Sequence, residues 1–81
     1  MRIVFSEQYK RACVVLDGNT NVNEIICKCQ DVEAWIWEPI DNARKERAYI
    51  VDVGRGVGPE LYTAAALRRT FRPAASTQEP T

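Results

Sequence analysis

One stretch of this chain combines residue types that can hold an anion. Residues 50–59, with the sequence IVDVGRGVGP, run from β-branched residues into three alternating glycines and then into Pro59. The glycines are Gly54, Gly56 and Gly58. Because proline is favoured at the first position of a helix, the stretch predicts a strand, a loop and a helix N-terminus in succession. Free N–H groups of such a loop and the positive helix end can bind a phosphate or carboxylate, with Arg55 adding a mobile charge.

The same stretch resembles the first motif of the S-adenosylmethionine-dependent methyltransferases, in which a hydrophobic strand carrying an acidic residue, here Asp52, runs into G-x-G-x-G. The resemblance covers about ten residues, and the 23 residues after Gly58 are too few for a doubly wound cofactor domain. A tight reversal that requires positive φ explains the glycines without a ligand. Binding of a small anion or nucleotide at 54–58 is therefore an alternative function, and no cofactor is expected.

The composition gives little support to catalysis or metal binding. Histidine is absent, which removes the commonest general base and the usual partner of a serine or cysteine nucleophile. Cys13, Cys27 and Cys29 are too few for a four-ligand zinc site and lack the spacing of a disulfide framework. We therefore expect a non-enzymatic protein without a metal. The cysteine usage and the lack of a membrane-length apolar run favour a cytoplasmic protein without membrane insertion.

Arginines offer a second binding chemistry. Arg68, Arg69 and Arg72 fall on one flank of the expected C-terminal helix and could join Arg55 in a surface that contacts phosphates. The chain carries 11 basic and 11 acidic residues, so its formal net charge is zero, which argues against a general polyanion binder. Nucleic-acid binding through this arginine-rich flank is an alternative function.

The apolar pattern predicts the elements that position these residues. The expected strands are 3–5, 11–16, 22–29, 34–37 and 48–53. Segments 11–16 and 22–29 flank a turn-rich pentapeptide, so they predict a hairpin. A helix is expected from Pro59 to about Arg72. The fold class is therefore α+β, a small antiparallel sheet of four to five strands backed by one C-terminal helix. It occupies a single domain at 1–73, followed by a disordered tail at 74–81.

A single helix covers one face of such a sheet, and the other face still carries apolar side chains. Exposed apolar patches commonly mark interaction surfaces, so the sequence predicts a partner on that face. Trp35 and Trp37 share one side of their strand, and tryptophan is enriched at binding hot spots. Alternatively, they pack beneath the helix and Ile36 faces the partner. The predicted interface residues are Cys13, Val15, Ile26, Trp35, Ile36 and Trp37.

The favoured function is therefore a small non-catalytic protein-binding module that regulates or inhibits a larger protein machine. The expected partners are another protein and, in a homodimer, a second copy of the chain. A compact domain without catalytic residues is similar in general character to the inhibitors that phages and mobile elements encode.

Overall fold

The fold is known from a computed structural model, which describes residues 1–18 and 20–71. Within these residues the chain forms five strands and two helices, so it belongs to the α+β class that the sequence predicts. The elements are β1 (Arg2–Ser6), β2 (Arg11–Val15), α1 (Val22–Asp31), β3 (Trp35–Pro39), β4 (Lys45–Asp52), β5 (Glu60–Tyr62) and α2 (Ala64–Thr70). The predicted tail at 74–81, like Arg72, lies outside the described residues.

The five strands form one mixed sheet. Strand β1 pairs with β2, and the central strand β4 pairs with β2, β3 and β5. The β2–β4 pair is parallel and the others are antiparallel, because α1 carries the chain away from the end of β2 before β3 begins. Tyr49 pairs with both β3 and β5, and Val51 pairs with both β2 and β5. Since a strand has two edges, β2 and β3 follow one another along one edge of β4, and β5 lies along the other.

Helix α1 occupies the segment that was predicted to be the second strand of a hairpin, and that prediction is wrong. The buried side chains of α1, Val22, Ile25 and Cys29, recur at helical spacing. Asn21 caps the helix, because its side-chain oxygen accepts a hydrogen bond from the Glu24 N–H at 3.0 Å. The turn-rich residues before it therefore lead into a capped helix.

The predicted C-terminal helix is present, but it begins at Ala64 and not at Pro59. Residues Glu60–Tyr62 instead form β5 and pair with β4. Thr63 caps α2, because its hydroxyl oxygen accepts a hydrogen bond from the Ala66 N–H at 3.1 Å. Among the described residues, neither helix is long and apolar enough to cross a membrane.

Both helices pack on one face of the sheet. The core cluster contains Val14, Leu16, Val22, Ile25, Cys29, Ala34, Tyr49, Val51 and Leu67. The sequence predicted exposed apolar side chains on the opposite face. The central side chains of that face are instead buried, namely Cys13, Val15, Ala48 and Ile50. Half-buried neighbours on the flanking strands shield them, since Val4 pairs with Cys13, Ile36 with Ala48 and Leu61 with Ile50. The predicted exposed apolar patch is therefore not found at these positions.

Candidate functional site

The glycine loop, residues 53–59, joins β4 to β5, so no helix begins at its end. Its glycines have φ values of 81°, 85° and 83°, a region that favours glycine. The Asp52 carboxylate accepts a hydrogen bond from the Gly54 N–H at 2.8 Å. The expected anion site therefore lacks a helix dipole, and a carboxylate of the chain itself already occupies one of its donors.

The three thiols do not converge on one site. Cys13 and Cys29 are buried, and Cys27 is exposed on α1. Burial raises the pKa of Cys13 to about 11 and that of Cys29 to about 12, so both remain protonated and unreactive near neutral pH. Within the described part of the chain, no group of three His, Cys, Asp or Glu side chains could hold a metal ion.

The arginines expected to contact phosphates lie on two separate elements. Arg68 and Arg69 are exposed in the last turn of α2, where positive charge is favourable next to the helix C-terminus. Arg55 lies in the glycine loop near Tyr62; burial raises the pKa of that tyrosine, and the Arg55 charge acts in the opposite direction. Arg72 is not among the described residues. The observed helix flank is therefore short, with two arginines at one end of seven residues.

The most distinctive exposed feature of the sheet is built from two tryptophans and two arginines. The rings of Trp35 and Trp37 meet edge to face, with centroids 5.2 Å apart and planes at 76°. The Arg47 guanidinium lies over both rings, 4.4 Å from the centroid of Trp35 and 5.9 Å from that of Trp37. The Arg11 guanidinium lies 5.7 Å from the Trp35 centroid. We call these four side chains the aromatic surface; Trp37 within it is 54% exposed.

The aromatic surface lies on the part of the helix-bearing face that the two helices do not cover. The eight residues of β4 span about 26 Å, whereas α1 and α2, with ten and seven residues, span about 15 Å and 10 Å. Both helices pack over core residues such as Tyr49 and Val51. Trp37 pairs with Arg47, two residues before Tyr49 and outside the core cluster. This part of the helix-bearing face is left in contact with water.

The charges of the aromatic surface are not neutralised nearby. Neither Arg11 nor Arg47 forms a salt bridge with another residue in 1–18 or 20–71. An exposed cation–π contact contributes roughly 0.5–1 kcal/mol, so Arg47 helps to fix the two rings in one orientation. The result is an ordered apolar surface that carries two positive charges.

Only two of the predicted interface residues, Trp35 and Trp37, belong to this surface. Ile36 lies on the other face of the sheet, opposite Ala48, and is half-buried. Ile26 lies on α1 and packs against the core. The remaining two, Cys13 and Val15 on β2, are 0% and 7% exposed.

The sequence alone did not place Arg11 or Arg47 beside Trp35 and Trp37. The cross-strand pair of Trp37 and Arg47 follows from the β3–β4 hairpin, whose register is centred on residue 42. A hairpin assigned across residues 40–44 could have revealed that pair. Arg11 carries no such signal, because it reaches Trp35 from β2 through non-local packing.

Comparison with protein-family models, with curated proteins and with solved structures found no match for this chain. The geometry and chemistry of the chain's own side chains therefore provide the evidence for its function. Among them, the aromatic surface combines exposure, order and unneutralised charge.

Proposed function

We propose that this protein is a small non-catalytic module that binds another protein through the aromatic surface and thereby regulates or inhibits it. One observation carries the proposal: Trp37 is 54% exposed although Trp35 and Arg47 hold its ring in place. A large apolar side chain that is already ordered loses little conformational freedom on binding. Tryptophan and arginine are also the residue types most enriched at interface hot spots.

The chemistry of the surface specifies the kind of partner. The rings of Trp35 and Trp37 offer apolar area, and the guanidinium groups of Arg11 and Arg47 offer hydrogen-bond donors. Arginine forms short, charge-assisted hydrogen bonds with carboxylates, often two at once. The partner that fits is a protein segment with an apolar or aromatic anchor next to aspartate or glutamate.

Single-stranded nucleic acid is the second candidate, because aromatic rings beside arginines also stack bases and attract phosphates. Such binding depends strongly on the number of phosphates that basic side chains neutralise. The formal net charge of this chain is zero, so the protein partner is favoured.

Intrinsic fluorescence tests the proposal directly, because Trp35 and Trp37 are the two tryptophans of the chain. Peptides selected from a displayed random library against immobilised wild-type protein supply the probes. We expect the enriched peptides to combine acidic residues with an apolar anchor and to shift the tryptophan emission. Trp37→Ala should weaken their binding about 30-fold or more, since a hot-spot residue contributes about 2 kcal/mol or more.

Val57→Ala is the matched control, because Val57 is 62% exposed but lies in the glycine loop. Arg47→Gln should weaken peptide binding and reduce its salt dependence, whereas the charge reversals Arg68→Glu and Arg69→Glu should leave it unchanged. Peptides that bind Trp37→Ala as tightly as the wild type contradict the proposal. A single-stranded oligothymidylate that binds more tightly than every selected peptide, with loss on Arg47→Gln, would assign the surface to nucleic acid.

A further inference from the structure

We infer that the outer edge of β1 pairs with β1 of a second copy of this chain, which joins two sheets into one across a twofold axis. Strand β1 pairs with β2 along one edge, and among the described residues no strand lies along the other. Such an edge presents N–H and C=O groups that can pair with another chain. Its exposed apolar side chains are Ile3 and Phe5, which are 42% and 60% exposed.

The other free edges in the described part of the sheet carry features that oppose pairing. Strand β3 ends with Glu38 and Pro39, and proline cannot donate a ladder hydrogen bond. The edge of β4 opposite β3 begins with the charged run Lys45–Arg47, and β5 has three residues. Charges, prolines and short length are the devices by which proteins protect sheet edges. In β1 the three central residues are apolar, and the strand has no proline and carries its single charge at its first residue, Arg2.

The sequence of β1 is complementary to itself. Antiparallel pairing centred on Val4 aligns all five residues of both strands. Ile3 then lies opposite Phe5 of the second copy, Phe5 lies opposite its Ile3, and Arg2 lies opposite its Ser6. Val4 lies opposite Val4 of the second copy, so three apolar cross-strand pairs form, and no like charges face each other. A twofold contact uses the same patch on both copies, so a second copy is the occupant that this edge fits.

The pairing would also place two aromatic surfaces on one side of the joined sheet. Ile3 and Phe5 pair with Val14 and Ala12 of β2, which lie on the helix-bearing face together with Trp35. A continuous sheet keeps that face on the same side in both copies. Five residues span about 17 Å, so the interface is below standard size and the dimer should dissociate in the micromolar range.

Sedimentation equilibrium from about 1 µM to about 500 µM tests this inference, with a chain mass of 9.2 kDa as the reference. We expect the wild type to approach twice that mass at the upper end. The double variant Ile3→Lys/Phe5→Lys places lysine opposite lysine at both pairs and should remain monomeric. The double variant Ile3→Glu/Phe5→Lys places glutamate opposite lysine in the same register and should dimerise. Both sites are exposed, so thermal unfolding should change little in either variant.

Val57→Lys is the control for adding charge at an exposed apolar site away from β1, and it should leave the dimer intact. A wild-type chain that stays at 9.2 kDa throughout the range overturns the inference. So does a dimer that survives Ile3→Lys/Phe5→Lys, or one that Trp37→Ala abolishes. Recovery of the dimer in the glutamate–lysine variant would support this register specifically. Because no variant on β1 alters Trp37, a failure here leaves the proposed peptide binding standing, and the converse also holds.

Discussion

Replacing Gly54 with alanine tests whether the glycine loop is a structural reversal. Gly54 has a φ of 81°, and a Cβ at this position would lie 2.9 Å from the backbone oxygen of Leu16. Leu16 is held in place, because its N–H donates to the Asp52 carbonyl at 2.9 Å. Gly56 is the matched control, since it has a φ of 85° but nothing lies within 4 Å of its Cβ position.

The two variants separate a conformational cost from a steric one. Alanine in the left-handed region costs roughly 1–2 kcal/mol, partly offset by about 0.4–1 kcal/mol from the smaller entropy of the unfolded chain. Gly56→Ala should therefore lower the free energy of unfolding by about 1 kcal/mol. Gly54→Ala should lower the free energy of unfolding by about 1–3 kcal/mol more, because its Cβ forces the backbone to shift. For a domain of this size, the melting temperature of Gly54→Ala should be at least about 4 °C below that of Gly56→Ala.

Urea unfolding followed by tryptophan emission, together with calorimetry, measures the difference. Equal unfolding free energies for Gly54→Ala and Gly56→Ala would refute the steric reasoning. The same experiment on wild-type protein, with saturating phosphate or S-adenosylmethionine, should show no rise in melting temperature. A rise would refute the interpretation of the loop as a strand connection whose first donor Asp52 already satisfies.

Four further predictions follow from local geometry. In the native protein only Cys27 should react rapidly with a thiol reagent, and all three cysteines should react in urea. Glu33→Gly should raise the free energy of unfolding by about 0.5–1 kcal/mol, because Glu33 adopts a φ of 57° just after α1. Glu46→Lys should stabilise the protein by roughly 0.2–1 kcal/mol, because Glu46 faces Glu38 across the β3–β4 pair. Hydrogen bonds from the backbone and an arginine lower the pKa of Asp41, so its stabilising contribution should be complete above the ordinary aspartate pKa and be lost as pH falls through the folded value. The urea midpoint of the wild type should therefore fall more steeply than that of Asp41→Asn below about pH 4.

The α+β class could be predicted from apolar patterning, but the identity of one element could not. Residues 22–29 alternate well enough for a strand, and the same residues satisfy the helical spacing i, i+3, i+4, i+7. Asn21 followed by Glu24 was a usable sign of a helix start. In a short apolar segment the two periods compete, and packing of α1 against the sheet decides between them.

The start of α2 depends on contacts that are distant in sequence. Pro59 is a suitable first residue for a helix by local preference. The free edge of β4, however, offers hydrogen bonds to Glu60–Tyr62, and these residues join the sheet. Pairing between distant segments is not encoded in local propensity. The same pairing determines that the glycine loop connects two strands and does not open a helix.

The length of α2 also depends on this pairing. Residue type alone could not decide whether the tryptophans form the core or the surface, because the answer depends on how much helix is available to cover the sheet. A helix from Pro59 to Arg72 would be about 20 Å long. By placing Glu60–Tyr62 in β5, the chain shortens α2 to seven residues, or about 10 Å. The core over Tyr49 is closed, and the ring of Trp37 remains in water, where a partner can reach it.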